Sequence, residues 1–393
     1  MNYVALKMLM GDKAKYIGII FGLTFAALLI TQQASIFVGL MTRTYGFVAD
    51  TALPDIWAMD EKVQFVDDVK PLQDTMLLRV RGVEGVQWAV PLYKGILRAR
   101  LANGLFQNCN VIGLDDASLV GGPPTMIEGR IDDLRRDEGV IVDEVGAYGK
   151  LAKPAAPGPD GKVDPKAKPI PLKIGDTLEL NDKRAVVVGI CRVSRTFQSQ
   201  PVIYTTYSRA LRFAPRERKL LSFVLVKANP GVDLTTLSSR ITEQTGLAAF
   251  TNWDFSWKTI MYFMKYTGIP INFGIAVILG FLVGTAIAGQ TFYNFTLDNL
   301  KQFGALKAMG ASNWRLLRMI MLQALQVGLI GYGLGVGAAS TFGLLSGNSE
   351  LAFRLLSQTL MVTGVAITLI TIIAALFSIL KVMRLEPAIV FKG

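Results

Sequence analysis

The sequence predicts an α-helical membrane domain of four transmembrane helices, with a large α+β extracytoplasmic domain inserted between helices 1 and 2. Three observations predict it. Mean hydropathy is +0.39, with 51% hydrophobic and 18% charged residues among 393. That is too apolar for a soluble chain and too polar for one lying wholly in lipid. Four stretches carry no Asp, Glu, Lys or Arg: Tyr16–Thr42, Tyr266–Leu297, Met319–Ser349 and Leu355–Leu380. Each exceeds the ~20 residues that cross ~30 Å of hydrocarbon. The segment between the first two, Arg43–Lys265, is long enough for a core of its own.

Residues 1–15 form an N-terminal cytoplasmic amphipathic segment. Within it Asn2–Met10 is expected along the inner membrane surface, ended by a turn at Gly11-Asp12-Lys13. The first span, 16–42, is too long for a secretory h-region and reads as an uncleaved anchor. The domain at 43–265 opens with a soluble stretch holding Trp57, followed by a helix over Val69–Val80. Val86–Leu101 and Leu105–Ile112 read as strands joined by a hairpin at Asn103-Gly104, and Val140–Val142 as a short strand. Leu151–Pro171, with Pro154, Pro157, Pro159, Pro165, Pro169 and Pro171, reads as a flexible surface insertion. A second hairpin follows over Thr177–Leu180, Asn181-Asp182 and Ala185–Ile190. Ser222–Lys227, a helix over Leu234–Thr245 and Ala248–Thr251 give strand, helix, strand.

The second span, 266–297, opens near Pro270, which suits a helix start. A cytoplasmic segment at 298–318 leads to spans 319–349 and 355–380, and residues 381–393 form a cytoplasmic tail. Orientation follows from Lys and Arg in the short flanks. The N-terminal flank, the 298–318 loop and the tail together hold +7 of the net +11, while the short loop with Glu350 and Arg354 sums to zero. Both termini are therefore expected in the cytoplasm and 43–265 outside. Trp253, Trp257, Tyr262 and Tyr266 then fall at the outer interface and Trp314 at the inner one, as an aromatic belt. Gly280 and Gly284, Gly331 and Gly335, and Gly333 and Gly337 are spaced for close helix approach, within one chain or in a dimer.

Composition excludes several kinds of chemistry. There is no histidine to act as base or metal ligand, and two cysteines cannot make a zinc site alone. Asp115-Asp116 and Asp132-Asp133 sit in turn-like sequence, a poor context for a general acid–base pair. No basic patch with interleaved aromatics points to nucleic acid. No span holds the buried ionisable group that ion-coupled carriers need. No G-x-x-x-x-G-K-[ST] occurs, so no phosphate loop of that kind is present. Cys109 and Cys191 lie on expected external strands, where an oxidising exterior permits a disulfide; two buried thiols are the alternative.

Leu297–Leu325 is the most informative stretch. Leu300, Phe303, Leu306, Met309 and Leu316 recur at three and four among Lys301, Lys307, Arg315 and Arg318, which predicts a helix with one apolar face. Gly310-Ala311-Ser312 breaks it, and Ser312 can cap the next helix. On spacing alone this is either a lever that receives a push from a cytoplasmic partner or an ordinary positive inside loop.

The run from Gln302 to Ser312, Gln-Phe-Gly-Ala-Leu-Lys-Ala-Met-Gly-Ala-Ser, resembles the E-x-G-x-L-K-A-x-G-A-S run of the MacB/FtsX-type ABC permeases, the type VII or mechanotransmission family. Leu385–Lys392 is similar to that family's P-A-x-x-x-R/K tail. Glu128-Gly129-Arg130, Gly139–Asp143 and Ile174-Gly175-Asp176-Thr177 are similar to its periplasmic core. The Leu-Lys-Ala-Met-Gly run and the missing fused ATPase look most like the DevC branch. Many relatives carry acidic and arginine residues before Gly304, where this chain has Asn299, Lys301 and Gln302.

The resemblance implies a transport subunit of the bacterial inner membrane that is not itself an enzyme. It has no cofactor of its own; ATP and Mg are bound by a separate cytoplasmic ABC ATPase. Further implied partners are a second permease in a homodimer, membrane lipid, a periplasmic adaptor (membrane fusion protein) and an outer-membrane channel, together exporting a hydrophobic or amphipathic substrate. FtsX-like signalling to a cell-wall hydrolase and LolCDE-like lipoprotein release are the alternatives. For residues, it implies a docking face of Phe303, Leu306 and Met309, with Lys307 against an acidic ATPase surface. Gly304 and Gly310 would allow close approach and the turn, and Ala308, Ala311 and Arg315 complete the coupling set.

Overall fold

Long charge-free runs become helices and alternating runs become strands. The computed structural model describes residues 2–101, 103–155, 168–215, 220–347 and 350–383. Two compact units divide the chain: residues 1–40 with 267–393, and Met41–Tyr266.

The first unit is helical. It contains α1 (Asn2–Gly11), the first part of α2 (Lys13–Asp50), α7 (Ile269–Asp298), α8 (Leu300–Ala308), α9 (Asn313–Leu345) and α10 (Ser357–Met383). Four of these, α2, α7, α9 and α10, are long and apolar enough to cross a membrane. Their helical bounds differ from the charge-free stretches. The second begins at Ile269, not Tyr266, with Pro270 in its first turn. The third begins at Asn313, six residues before Met319, because Ser312 caps it.

Glycine sets how closely these helices meet. A methyl group on Gly284 would lie 2.4 Å from Ala26 Cβ, one on Gly331 2.6 Å from Leu23 Cβ, and one on Gly335 2.5 Å from Ala27 Cβ. So α7 and α9 both press on the Leu23–Ala27 stretch of α2, as small residues at this spacing permit. Gly333 and Gly337 face open space. A few polar side chains find partners inside: Thr31 Oγ1 donates to Thr363 Oγ1 at 3.1 Å, and Gln323 Nε2 donates to Ala5 O at 2.6 Å. That last bond ties Asn2–Met10, the stretch expected along the inner membrane surface, to α9. Ala5 and Leu9 are fully buried in the helical core alongside Met319, Ile320 and Ala324.

The second unit is α+β. Its strands are β1 (Ile56–Met59), β2 (Val86–Arg100), β3 (Phe106–Leu114), β4 (Thr125–Glu128), β5 (Gly139–Asp143), β6 (Thr177–Leu180), β7 (Lys183–Arg192), β8 (Val202–Thr206), β9 (Phe223–Ala228) and β10 (Ala248–Thr251). Its helices are α3 (Thr75–Arg81), α4 (Tyr207–Phe213), α5 (Leu234–Thr245) and α6 (Asn252–Tyr266), with the end of α2. The strands form one mixed sheet in the order β10-β1-β9-β2-β3-β8-β5-β7-β4, with β6 pairing β2 and β7. At its centre Trp57 is fully buried, with ring centroids 5.5–5.7 Å from Phe47, Phe223 and Phe255. Its indole donates to Asn252 Oδ1 at 2.7 Å, which lets a polar nitrogen sit in an apolar core.

Both hairpins form where expected. Asn181 and Asp182 take φ of 48° and 62°, the left-handed pair of a type I′ turn. The expected helix over Val69–Val80 is shorter, Thr75–Arg81. Pro71 biases the residue before it toward extended backbone, and Leu72 bridges Leu221, so the first six residues cannot enter the helix. Of the two readings of the cysteines, the structure has the buried thiols and not the disulfide. Cys109 on β3 and Cys191 on β7 are free and buried, separated by β8 and β5. They also belong to separate apolar clusters, Cys191 with Trp57 and Cys109 with Val140. Of the insertion at 151–171, Lys153 pairs with Ile170; residues 156–167, like the tail motif Leu385–Lys392, lie outside the described residues.

Candidate coupling site

The segment between α7 and α9 is built by a sequence of backbone devices. Asn299 ends α7: its N–H and its side-chain amide both donate to Phe295 O, at 3.2 and 2.8 Å. The same residue opens α8, because Phe303 N donates to Asn299 O at 3.0 Å. α8 closes in a Schellman motif. Gly310 N donates to Lys307 O and Ala311 N to Leu306 O, both at 3.0 Å, with Gly310 at φ +91°. Leu306 and Ala311 both pack against the helical core, which supplies the apolar contact this motif carries. Ser312, extended at φ −71° and ψ 154°, then caps α9 with its hydroxyl accepting from Arg315 N at 3.4 Å.

These devices sort the expected coupling residues into two sets. Phe303 is fully buried in the chain's own helical core and Gly304 is buried beside it. Leu306, Lys307 and Ala311 are half-buried. Ala308, Met309, Gly310 and Arg315 are exposed, Met309 by 75%. Phe303, Leu306 and Met309 therefore do not share one outward face: Phe303 anchors inward and Met309 projects. Across the Gly310 turn, Trp314 is 73% exposed at the first turn of α9. Residue spacing missed Trp314 as a member of this tip because the loop turns back through Gly310, which no helical period describes. Behind the tip, Leu316, Met319 and Ile320 are buried. Lys15 at the start of α2 pairs with Asp298 at the end of α7. The result is a segment that exposes Met309 and Trp314 together with Lys301, Arg315 and Arg318, on a base buried in the helix bundle.

Trp253, Trp257, Tyr262 and Tyr266 all lie on α6. Trp253, Trp257 and Tyr266 are exposed, while Tyr262 stacks on Phe65 with centroids 4.4 Å apart. Of the acidic pairs, Asp116 accepts from Ser208 N and Oγ, and Asp133 from Arg130 N, so both brace turns. Among the described residues no group of His, Cys, Asp and Glu is arranged to hold a metal ion.

Comparison with known proteins places two family models on the chain. One described as a MacB-like periplasmic core domain matches residues 17–244, and one described as an FtsX-like permease C-terminal domain matches 274–387. An uncharacterized ABC transporter permease of Methanocaldococcus jannaschii is 24% identical over 238 residues, covering 56% of this chain. The match spans 58% of that relative's length. Among solved structures, the extracellular domain of the noncanonic ABC-type transporter YknZ from Gram-positive bacteria is 12% identical. It aligns over 50% of this chain and 98% of its own, with a TM-score of 0.34. The periplasmic region of MacB from Actinobacillus actinomycetemcomitans is 16% identical over 52% of this chain and 92% of its own, with a TM-score of 0.35.

Proposed function

We propose, from the premise that this chain belongs to the ABC transporter permeases with a MacB-like periplasmic core domain and an FtsX-like permease domain, that the Met309–Trp314 tip receives ATP-driven motion. The source of that motion is a separate cytoplasmic ATPase carrying ATP and Mg, bound to a permease homodimer in the bacterial inner membrane. The tip passes the push through α8 to α7 and α9, and so to residues 43–265 on the periplasmic side. The positive flanks support this orientation, with both termini in the cytoplasm. Export of a hydrophobic or amphipathic substrate through an adaptor and an outer-membrane channel, as in the DevC branch, is the assembly that the Gln302–Ser312 run supports best.

One observation carries the reading. The exposed Met309 and the buried Phe303 are joined through the Schellman turn that closes α8, which gives a force on Met309 a short hydrogen-bonded path to the bundle core. A partner groove lined by apolar and acidic residues would match Met309 and Trp314 flanked by Lys301, Arg315 and Arg318. The test is isolation of the tagged chain from its native membranes in mild detergent, with partners identified and ATP hydrolysis measured. An ABC ATPase should co-purify, and Gly310→Pro should leave the chain in the membrane while abolishing stimulated hydrolysis. Recovery without any ATPase, or full ATP-dependent transport with Gly310→Pro, would overturn it.

A further inference from the structure

The α+β unit holds a second feature, apart from the coupling segment. β2 changes partners halfway along: Val86–Leu92 pairs with β9, and Tyr93–Arg100 with β3. β9 starts only at Phe223, opposite Leu92, so the β9-side edge of β2 meets no described strand until Ala99 pairs with Leu180 of β6. In that gap Ser222 fastens the backbone, accepting from Lys94 N at 2.9 Å and donating to Lys94 O at 3.2 Å. A cavity of about 340 Å³ opens there, within the ~300–1,000 Å³ range of small-molecule sites.

Its floor is polar and buried. Lys94 pairs with Ile112 and Ile96 with Asn110 in the β2–β3 ladder, so Lys94, Ile96 and Asn110 share one face of the sheet. Lys94 and Asn110 are each only 5% exposed. The Lys94 ammonium is paired with the Asp67 carboxylate and lies 5.6 Å from the Phe47 ring centroid. The Asn110 backbone N–H is used, donating to Pro201 O at 2.8 Å, but its side-chain amide bonds to no described residue. Asn110 lines the cavity, so its amide donor and acceptor face space that a ligand can occupy. The mouth is apolar: Val69, Pro71, Ile96 and Leu220 form it, the last two 43% and 38% exposed.

We propose that this cavity binds a small neutral amphipathic molecule through a carboxamide or an equivalent donor–acceptor end. The amide pairs with Asn110 through one bond in each direction, and Lys94 offers a further N–H to its carbonyl oxygen. The apolar body lies along Val69, Ile96 and Leu220. Charge selects against other ligands: Lys94 and Asp67 already neutralise each other, so a carboxylate competes with Asp67 and an ammonium faces Lys94. This inference is independent of the coupling reading and holds or fails without the ATPase.

The test uses the full chain in lipid nanodiscs and fluorine NMR of three probes, hexanamide, hexanoate and hexylamine, each with a terminal trifluoromethyl group. The amide should bind saturably, roughly tenfold tighter than either charged analogue, because a site built for hydrogen bonds rejects mismatched ends. Asn110→Leu should remove that binding, with thermal unfolding as the folding control. Ile96→Trp, on the exposed rim, should block entry and keeps the test decisive if Asn110→Leu fails to fold. Non-saturable amide uptake, equal binding of all three probes, or unchanged binding in the folded variants would overturn the proposal.

Discussion

Glycine does two different jobs, seen most plainly when Gly284, Gly331 and Gly335 of the helical unit are set beside four turn glycines of the α+β unit. In the helical unit Gly284, Gly331 and Gly335 are contacts: they lack a Cβ so that another helix can occupy its place. In the α+β unit Gly104, Gly175, Gly231 and Gly246 are turns: each has positive φ and nothing within 4 Å of where a Cβ would stand. The first kind fails through space and the second through torsion. A packed bundle of apolar helices has no hydrophobic drive between its members in lipid, so close contact carries the association. A sheet is fixed by its ladder, and these four glycines serve where the backbone takes positive φ.

The largest expected effect breaks the contact class. A side chain at Gly335 meets Ala27 Cβ at 2.5 Å and also the backbone atoms Thr24 O at 2.6 Å and Leu28 N at 2.9 Å. Side-chain neighbours can rotate away, but backbone atoms cannot. Gly335→Leu should therefore exceed the ~3 kcal/mol that overpacking usually reaches, and the variant should be lost as a monodisperse peak in detergent chromatography. Gly337→Leu, two residues on and facing open space, should elute as the parent does. Equal behaviour of the two would remove the distinction.

A cavity tests the same unit from the opposite side. Phe303 fills the core beneath the tip and Met309 projects from it. Phe303→Ala should cost about 3 kcal/mol, read as a fall in thermal unfolding midpoint in detergent. Met309→Ala should change that midpoint little while lowering ATPase binding. If the two effects were exchanged, the division into anchor and tip would be wrong.

Gly146 belongs to a third case, where space is kept for a charge. A Cβ there would lie 2.5 Å from Asp143 Oδ1 and 2.9 Å from Pro201 Cβ. That oxygen accepts from Val202 N at 2.8 Å and Gly146 N at 3.2 Å. Burial nevertheless prevails and pushes the carboxyl up to about 6 from its ordinary 3.8. Because the folded value is raised, the folded form holds the proton more tightly. The stabilisation is full below pH ~4 and is lost as pH rises through about 6. The swing is on the order of 2–3 kcal/mol. Unfolding midpoints followed from pH 4 to 8 should fall across that window, and Asp143→Asn, whose Oδ1 can accept both bonds, should flatten the fall. A parent profile that is flat there would refute the assignment.

How far the sequence reached follows from which physics it records. Charge-free length shows a spanning helix directly, so α2, α7, α9 and α10 were legible. So were Asn103-Gly104 and Asn181-Asp182, because few residues tolerate positive φ. α5 was legible within Leu234–Thr245 because Asp233 caps it and Gly246 ends it. β1 was not: Ile56-Trp57-Ala58-Met59 is buried on both faces and shows no alternation. Val202–Thr206 carries a strand signal only in its β-branched and aromatic residues, buried on both faces and without alternation. At the candidate site the break at Gly310 and the cap at Ser312 were legible from residue type. The inward turn of Phe303 was not, because periodicity shows that an apolar face exists but not which neighbour covers it.

The smallest effect compares two turn glycines, one from each unit. Gly246 ends α5 at φ +74° with its N–H donating to Thr242 O at 2.9 Å, and Gly310 ends α8 at φ +91°. Neither has any atom within 4 Å of a Cβ position, so alanine at either meets torsion alone. Both variants should lose only about 1 kcal/mol, and by similar amounts, although one sits on a sheet-packed helix and the other against a membrane bundle. Matched shifts in the unfolding midpoint of Gly246→Ala and Gly310→Ala would place both in the torsional class. A Gly310→Ala loss near that of Gly335→Leu would instead mean that the tip is packed from outside. In that case a partner surface, and not the chain's own backbone, sets the conformation at Gly310.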